Sequence, residues 1–191
     1  MLSMSSEKRN RYAGYIILIA LLLPLFWNGV WDRHDWGDDF AQYLMQARNI
    51  VEHRPQTDNG LVFPPGHPFA VAAYPVGFPL MLAPIYAVSG LAVRPFLLLI
   101  SACVFLTGLL LYKRYRLNFS VTAAILMVLW LIYNPFVLEW KYSILSDLPF
   151  LFLCFLFIVY FPSSNGYSLK QAVGWGLCCG FIASVRIIGW A

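Results

Sequence analysis

Charged side chains are scarce in this sequence. Only 12% of its 191 residues are Asp, Glu, Lys or Arg, against about 25% in soluble domains. Hydrophobic residues make up 60% of the chain, and the mean hydropathy is +0.68. This composition excludes an ordinary soluble domain. The net charge of +4 does not indicate nucleic-acid binding, because the basic residues lie in short clusters between apolar segments.

The chain also lacks a cysteine pattern typical of disulfides or of a zinc site. Its four cysteines, Cys103, Cys154, Cys178 and Cys179, all lie inside apolar runs. Buried free thiols are the simplest interpretation. The sequence therefore predicts no metal-ligand set and no resident cofactor.

Long apolar runs are what the sequence does have. They predict an all-α polytopic membrane protein with about five transmembrane helices in this piece. The predicted spans are residues 12–31, 95–112, 119–137, 148–161 and 172–191. A shorter run, 78–93, is interrupted by Pro84 and Gly90 and predicts a re-entrant segment. Because the last span reaches the final residue, we expect the N-terminal part of a longer protein.

The positive-inside tendency sets the predicted orientation. If 78–93 does not cross the membrane, the basic cluster KRYR (113–116) and Lys170 lie inside together with the N-terminus. All acidic residues except Glu7 then lie outside. This orientation predicts a large first outer loop, 32–94, and a short second one near residues 138–147.

The first outer loop opens with an acidic stretch, HDWGDDFAQYLMQARNI (34–50). Apolar residues recur at helical spacing after Asp38 and Asp39, and predict a surface helix over 38–53, with Gln46 and Asn49 outside the apolar stripe. One interpretation is structural, because a carboxylate caps a helix N-terminus. The other is catalytic, because a carboxylate held at the membrane surface can act as a general base.

The order of these features resembles the GT-C superfamily of membrane glycosyltransferases, most closely its family 39 group. That group includes protein O-mannosyltransferases, and the lipid A aminoarabinose transferases are also similar. The likeness covers nearly the whole chain. It rests on a first span followed by DDFAQYLMQARNI, YPVGFPLMLAPIYAVSG, LLLYKRYR, SILSDLPF and GFIASVRIIGW.

The resemblance implies an inverting transferase in the cell membrane, such as a bacterial inner membrane. It would move a sugar from a polyprenyl-phosphate donor to a protein, lipid or glycan acceptor on the outer face. The acidic pair in those families is often Asp-Glu with a tyrosine close behind. Because Tyr43 follows Asp39 by four residues, the catalytic base is assigned to Asp39, with Asp38 as the alternative. A metal-dependent oligosaccharyltransferase or polymer ligase is a less favoured variant, in which the carboxylates would hold a divalent cation.

Arg186 is the candidate phosphate clamp. Lys170 is predicted to lie inside, at the start of the last span. About 14 residues of helix that rise ~1.5 Å each would then place Arg186 roughly 21 Å from the inner side of the membrane. Its planar guanidinium suits a lipid phosphate. The alternative is that it reaches the membrane interface without binding substrate.

The resemblance adds further candidates for substrate binding. It places Asp147, Glu139 and Lys141 in the second outer loop facing the site, although Asp147 could instead cap the following helix. Tyr43 is implied by its spacing from the acidic pair. His67, in PPGHP, is a candidate for substrate contact or a plain loop histidine.

Two other functions fit a chain of this kind. A transporter or flippase also places charges in membrane helices, but it predicts inverted repeats, and none is visible in this sequence. A non-catalytic assembly subunit is the second alternative. Loss of turnover in Asp39→Asn with folding retained would separate the enzyme from both.

Overall fold

The computed structural model describes residues 6–30, 39–58, 73–161 and 168–186, with the backbone alone for 6–9. Every regular element in these ranges is helical, which confirms the predicted all-α class. The elements are α1 (Ser6–Leu22), a 3₁₀ helix (Leu23–Phe26), α2 (Phe40–Val51), α3 (Gly77–Ser89), α4 (Val93–Tyr115), α5 (Val121–Ile132), α6 (Pro135–Lys141), α7 (Asp147–Tyr160) and α8 (Leu169–Val185).

Helix length supports membrane crossing most clearly for α4. It has 23 residues, an 18-residue stretch of it has a mean hydropathy of 2.2, and among the described residues no other single helix is long and apolar enough to cross a bilayer. The pair α5 and α6 passes the same test together, although its two helices meet at 58°. By length and composition the described residues therefore include one helix that could cross a membrane, or two when the bent pair is counted as one span. The finer expectation of about five spans becomes a proposal below.

The run predicted as one span over 119–137 is broken in the structure. α5 ends at Ile132, and α6 begins at Pro135 in a new direction. The Asn134 side chain accepts a hydrogen bond from the Phe136 N–H at 3.0 Å, which caps α6, and proline suits the first helical position because it has no N–H to satisfy. Residues 139 and 141 consequently lie on a helix and not in an irregular loop.

The predicted surface helix appears as α2, which packs mainly on α3. Phe40, Leu44 and Ala47 of α2 are buried in one core cluster with Phe78 and Leu82 of α3. The polar residues outside the apolar stripe do not all face outward.

Two amides of α2 are buried as well. Gln46 is 0% exposed and Asn49 is 1% exposed. Each amide side chain bonds to backbone groups beyond its own helix, which offsets the cost of burying it.

The N-terminus of α3 lies directly against the end of α8. A Cβ placed on Gly77 would lie 2.6 Å from the carbonyl carbon and oxygen of Ser184. Only glycine permits this approach, because the Cβ of any larger residue would collide with the Ser184 backbone as well as with its Oγ. The contact joins the first residue of α3 to the end of α8, next to Arg186.

Gly77→Ala tests this contact. We expect the free energy of unfolding to fall by about 1–3 kcal/mol, because α8 must shift to admit the methyl group. Denaturant unfolding in detergent measures the change. Gly174→Ala is the matched control, since Gly174 also has a helical backbone but nothing lies within 4 Å of its Cβ position. Equal stability of the two variants would contradict the close packing.

Candidate active site

Asp39 is the residue directly before α2, but its side chain does not cap the helix. Its backbone is helical, with φ −69° and ψ −18°, and its side chain makes no capping hydrogen bond. Instead, Oδ1 accepts a hydrogen bond from the Tyr74 hydroxyl at 2.5 Å. Capping therefore does not account for this carboxylate. Asp38 and His67, the other predicted site residues of the first loop, lie outside the described residues.

Tyr43 links the start of α2 to the start of α7. Its side chain is buried, its ring centroid lies 4.8 Å from that of Tyr74, and its hydroxyl lies 3.2 Å from Ser146 Oγ. Burial raises the pKa of Tyr43 above its ordinary value of 10.0, an effect that the hydrogen bond with Ser146 opposes and the charge of Asp39 reinforces. The phenol is therefore neutral at physiological pH and serves as a hydrogen-bonding group.

Two residues predicted separately from the sequence meet in an ion pair. Asp147 lies in the first turn of α7, where its negative charge interacts favourably with the helix dipole. Arg186 directly follows the last residue of α8, and its Nη1 contacts Asp147 Oδ1. The side chain of Asp147 is 16% exposed and that of Arg186 is 35% exposed. The guanidinium is thus fixed in direction but still accessible.

The carboxylate at α2 and the ion pair belong to the same site. The Tyr74 hydroxyl donates to Asp39 and its ring packs on Tyr43, whose hydroxyl lies 3.2 Å from Oγ of Ser146, the residue before Asp147. The charges of Asp39, Arg186 and Asp147 all act on the Tyr43 phenol. Three helices contribute to this cluster: α2 with the residue before it, the beginning of α7 and the end of α8.

A cavity of about 420 Å³ opens beside the ion pair. Asp147 and Arg186 are its charged lining residues, and the remainder is apolar and includes Phe136, Trp140 and Leu151. A second cavity of about 240 Å³ borders three of the same residues and extends to α4. The shared residues are Val137, Leu148 and Leu151. The cavity thus has one charged end, formed by the ion pair, and an apolar continuation.

The structure does not bring Glu139 or Lys141 to this cavity. Glu139 is exposed on α6. Lys141 is 1% exposed, and its Nζ donates hydrogen bonds to the carbonyl oxygens of Leu25 at 3.1 Å and Asn28 at 2.5 Å. Lys141 therefore satisfies carbonyl groups at the end of the 3₁₀ helix, which would otherwise lack partners.

Sequence reasoning missed Tyr74, Ser146 and Gln46. Tyr74 lies three residues before α3, and Ser146 lies directly before α7. This position near the start of a helix was the available signal for both residues. Gln46 gave none, because an amide outside the apolar stripe of an amphipathic helix is ordinarily assigned to solvent.

In the described ranges, no three His, Cys, Asp or Glu residues are grouped so that they could hold a metal ion. The four cysteines are free thiols, and Cys178 and Cys179 are exposed where burial was expected. α8, which carries both, has few neighbours beyond α3 and α7 to cover it. In comparisons with known proteins, the chain matched no family model, no curated protein and no solved structure.

Proposed function

We propose that this chain is the catalytic membrane portion of a glycosyltransferase that uses a polyprenyl-phosphate-linked sugar. One observation carries the proposal. Contacts through Tyr74, Tyr43 and Ser146 connect the Asp39 carboxylate to the ion pair of Asp147 and Arg186. The ion pair in turn lines a cavity that is otherwise apolar. A base, an anion-binding group and an apolar groove are what transfer from a lipid phosphate requires.

The reaction needs one base and one phosphate clamp. Asp39 accepts the proton of the acceptor hydroxyl or amine as that group attacks the anomeric carbon. The bond from the anomeric carbon to the phosphate oxygen breaks, and the polyprenyl phosphate leaves with the electron pair. Arg186 stabilises the charge that develops on this phosphate. Direct displacement inverts the anomeric carbon.

The ion pair prepares Arg186 for this task. Asp147 holds the guanidinium at the mouth of the cavity without burying it. A phosphate entering from the apolar side meets a cation that is already oriented, so less conformational entropy is lost on binding. The polyprenyl chain would occupy the apolar lining along α6, α7 and α4.

The proposal places the site at the outer face of a multi-pass protein. α7 begins at Asp147 and α8 ends at Val185, just before Arg186, so two successive antiparallel helices bring both partners of the ion pair to the same side. Helices of 14 and 17 residues are shorter than the roughly 20 residues of an ordinary span. They would cross with their flanking residues or where the bilayer is locally thinner.

Cysteine labelling tests this orientation. After the four native cysteines are replaced by serine, a cysteine at Asn134 should react with an impermeant maleimide added outside intact cells. A cysteine at Arg116 should react only after permeabilisation. Outside labelling at position 116 would contradict the non-crossing interpretation of 78–93.

Donor turnover tests the function itself. The protein is reconstituted in liposomes with a panel of synthetic polyprenyl-phosphate hexoses and pentoses, and release of polyprenyl phosphate is measured with cell-envelope extract as acceptor. We expect release from one donor by wild type and almost none by Asp39→Asn. Movement of the intact donor across the bilayer without release would favour a flippase. If no donor is consumed or moved, the proposal fails.

A further inference from the structure

Gln46 forms an unusually complete contact with the backbone of another segment. Its side chain is fully buried on α2. Nε2 donates a hydrogen bond to the Tyr74 carbonyl oxygen, and Oε1 accepts one from the Tyr74 N–H, both at 3.0 Å. One amide thus bonds to both backbone polar groups of a single residue 28 positions away.

Tyr74 needs this contact because it precedes α3 and has no regular secondary structure of its own. A backbone N–H and C=O outside helices and strands must find other partners when they are partly buried. Gln46 supplies both partners, so it fixes the position from which the Tyr74 side chain extends.

The fixed backbone has a consequence at Asp39. The Tyr74 ring lies against Tyr43, which limits its tilt, and its hydroxyl donates to Asp39 Oδ1 at 2.5 Å. A hydrogen bond weakens steeply when its donor moves out of line with the acceptor. The direction of the Asp39 carboxylate therefore depends on where the Tyr74 backbone is held.

We propose that Gln46 is a positioning residue for the base, acting on Asp39 through the backbone and hydroxyl of Tyr74. The inference rests on the proposed function in so far as Asp39 is the base. The geometric part, Gln46 to Tyr74 to Asp39, stands on the contacts alone and is tested separately.

Infrared spectroscopy tests the geometric part without any turnover. The carboxylate band of Asp39 is isolated as the difference between wild type and Asp39→Asn. Tyr74→Phe removes the hydroxyl and should shift this band. Gln46→Met keeps the side-chain length but loses both hydrogen bonds, and we expect it to shift the band in the same direction.

Asn49→Leu is the matched control. Asn49 is also buried on α2, and its Nδ2 donates to two backbone carbonyl oxygens, those of Pro55 at 3.1 Å and Asp58 at 2.7 Å. These bonds hold the segment after α2 and do not involve Tyr74. Asn49→Leu should lower stability about as much as Gln46→Met while leaving the Asp39 band unchanged.

Kinetics test the catalytic part with the donor that wild type consumes. Tyr74→Phe and Gln46→Met should each lower kcat about 10-fold or more, with donor KM unchanged, because a hydrogen bond to a charged group is lost at the base and not at the phosphate. The double variant should be no slower than the slower single variant, since both changes break the same connection. Asn49→Leu should keep the wild-type kcat.

The outcomes separate the inference from the proposed function. An unshifted Asp39 band in folded Gln46→Met, or losses in kcat that multiply in the double variant, would overturn the positioning role. If Gln46→Met does not fold, Tyr74→Phe keeps both Gln46 bonds to the backbone, and an unshifted band with wild-type kcat in that variant would equally overturn it. A shifted band in a protein that consumes no donor would support the geometry while the glycosyltransferase proposal fails.

Discussion

Asp39→Asn should remove most of the sugar-transfer rate while the protein still folds. General base catalysis typically contributes about 10²–10⁴-fold, and asparagine cannot accept the acceptor's proton. The substitution is nearly isosteric, and the amide oxygen can still accept the hydrogen bond from the Tyr74 hydroxyl. The rate is measured as polyprenyl phosphate released in liposomes, with detergent-solubilised yield and melting temperature as folding checks.

Asp58→Asn is the matched control for this loss. Asp58 is an exposed carboxylate near the end of α2, and its side chain lies 3.9 Å from Arg54. Removing its charge should leave transfer unchanged. A low rate in both variants would indicate a general effect of acidic charge on the protein and not a base at position 39.

Asp38→Asn decides between the two members of the acidic pair. The Tyr43 spacing assigns the base to Asp39, so Asp38→Asn should reduce the rate less. If Asp38→Asn showed no sugar transfer while Asp39→Asn kept a near-normal rate, the assignment of the base would be reversed. If both variants stay active, the acidic stretch has no catalytic part and the enzyme proposal loses its base.

Arg186→Lys should raise donor KM about 10-fold or more. Lysine keeps the positive charge but lacks the planar pair of donors that matches a phosphate, and a hydrogen bond to a charged group is worth about 1.5–3 kcal/mol. The measurement is initial rate against donor concentration in liposomes of constant composition. Insertion should be unaffected, because the variant retains a cation for Asp147.

Arg94→Lys is the corresponding control, since Arg94 is an exposed arginine in the first turn of α4. Its donor KM should equal that of wild type. Unchanged KM and rate in Arg186→Lys would leave only the interpretation that Arg186 reaches the membrane interface without binding substrate.

Much of the fold follows from periodicity and composition. The all-α class, the helix after the acidic pair and the break before residue 94 are visible as runs of apolar residues and their interruptions. The bend between α5 and α6 is less visible, because Asn134 and Pro135 lie in an apolar run whose average hydropathy hides them. The cap formed by Asn134 and the proline at position 135 start a new helix there, although the whole segment is apolar.

Part of the candidate site was likewise predictable from the sequence, and part was not. Asp147 and Arg186 were each found as isolated charges in apolar surroundings, which is a strong local signal. Their pairing was not predicted, because it depends on how α7 and α8 pack. Gln46 was missed because its partner is backbone 28 residues away, and nothing in the sequence marks which backbone groups lack a hydrogen bond.

Lys141 has a consequence for the order in which the protein assembles during synthesis. Its ammonium group bonds to carbonyl oxygens at residues 25 and 28, and the Tyr133 hydroxyl donates to the Leu21 carbonyl oxygen, across separations of more than 100 residues. The end of the first helical segment therefore cannot reach its final arrangement until α6 has left the ribosome. Non-local contacts of this kind are formed late, because a long chain segment must first be closed. Residues 21–28, which precede the acidic stretch, thus reach their final position only after α2, α3 and α4 have been synthesised. A ribosome stalled before codon 141 should therefore yield a nascent chain in which residues 21–28 remain open to protease.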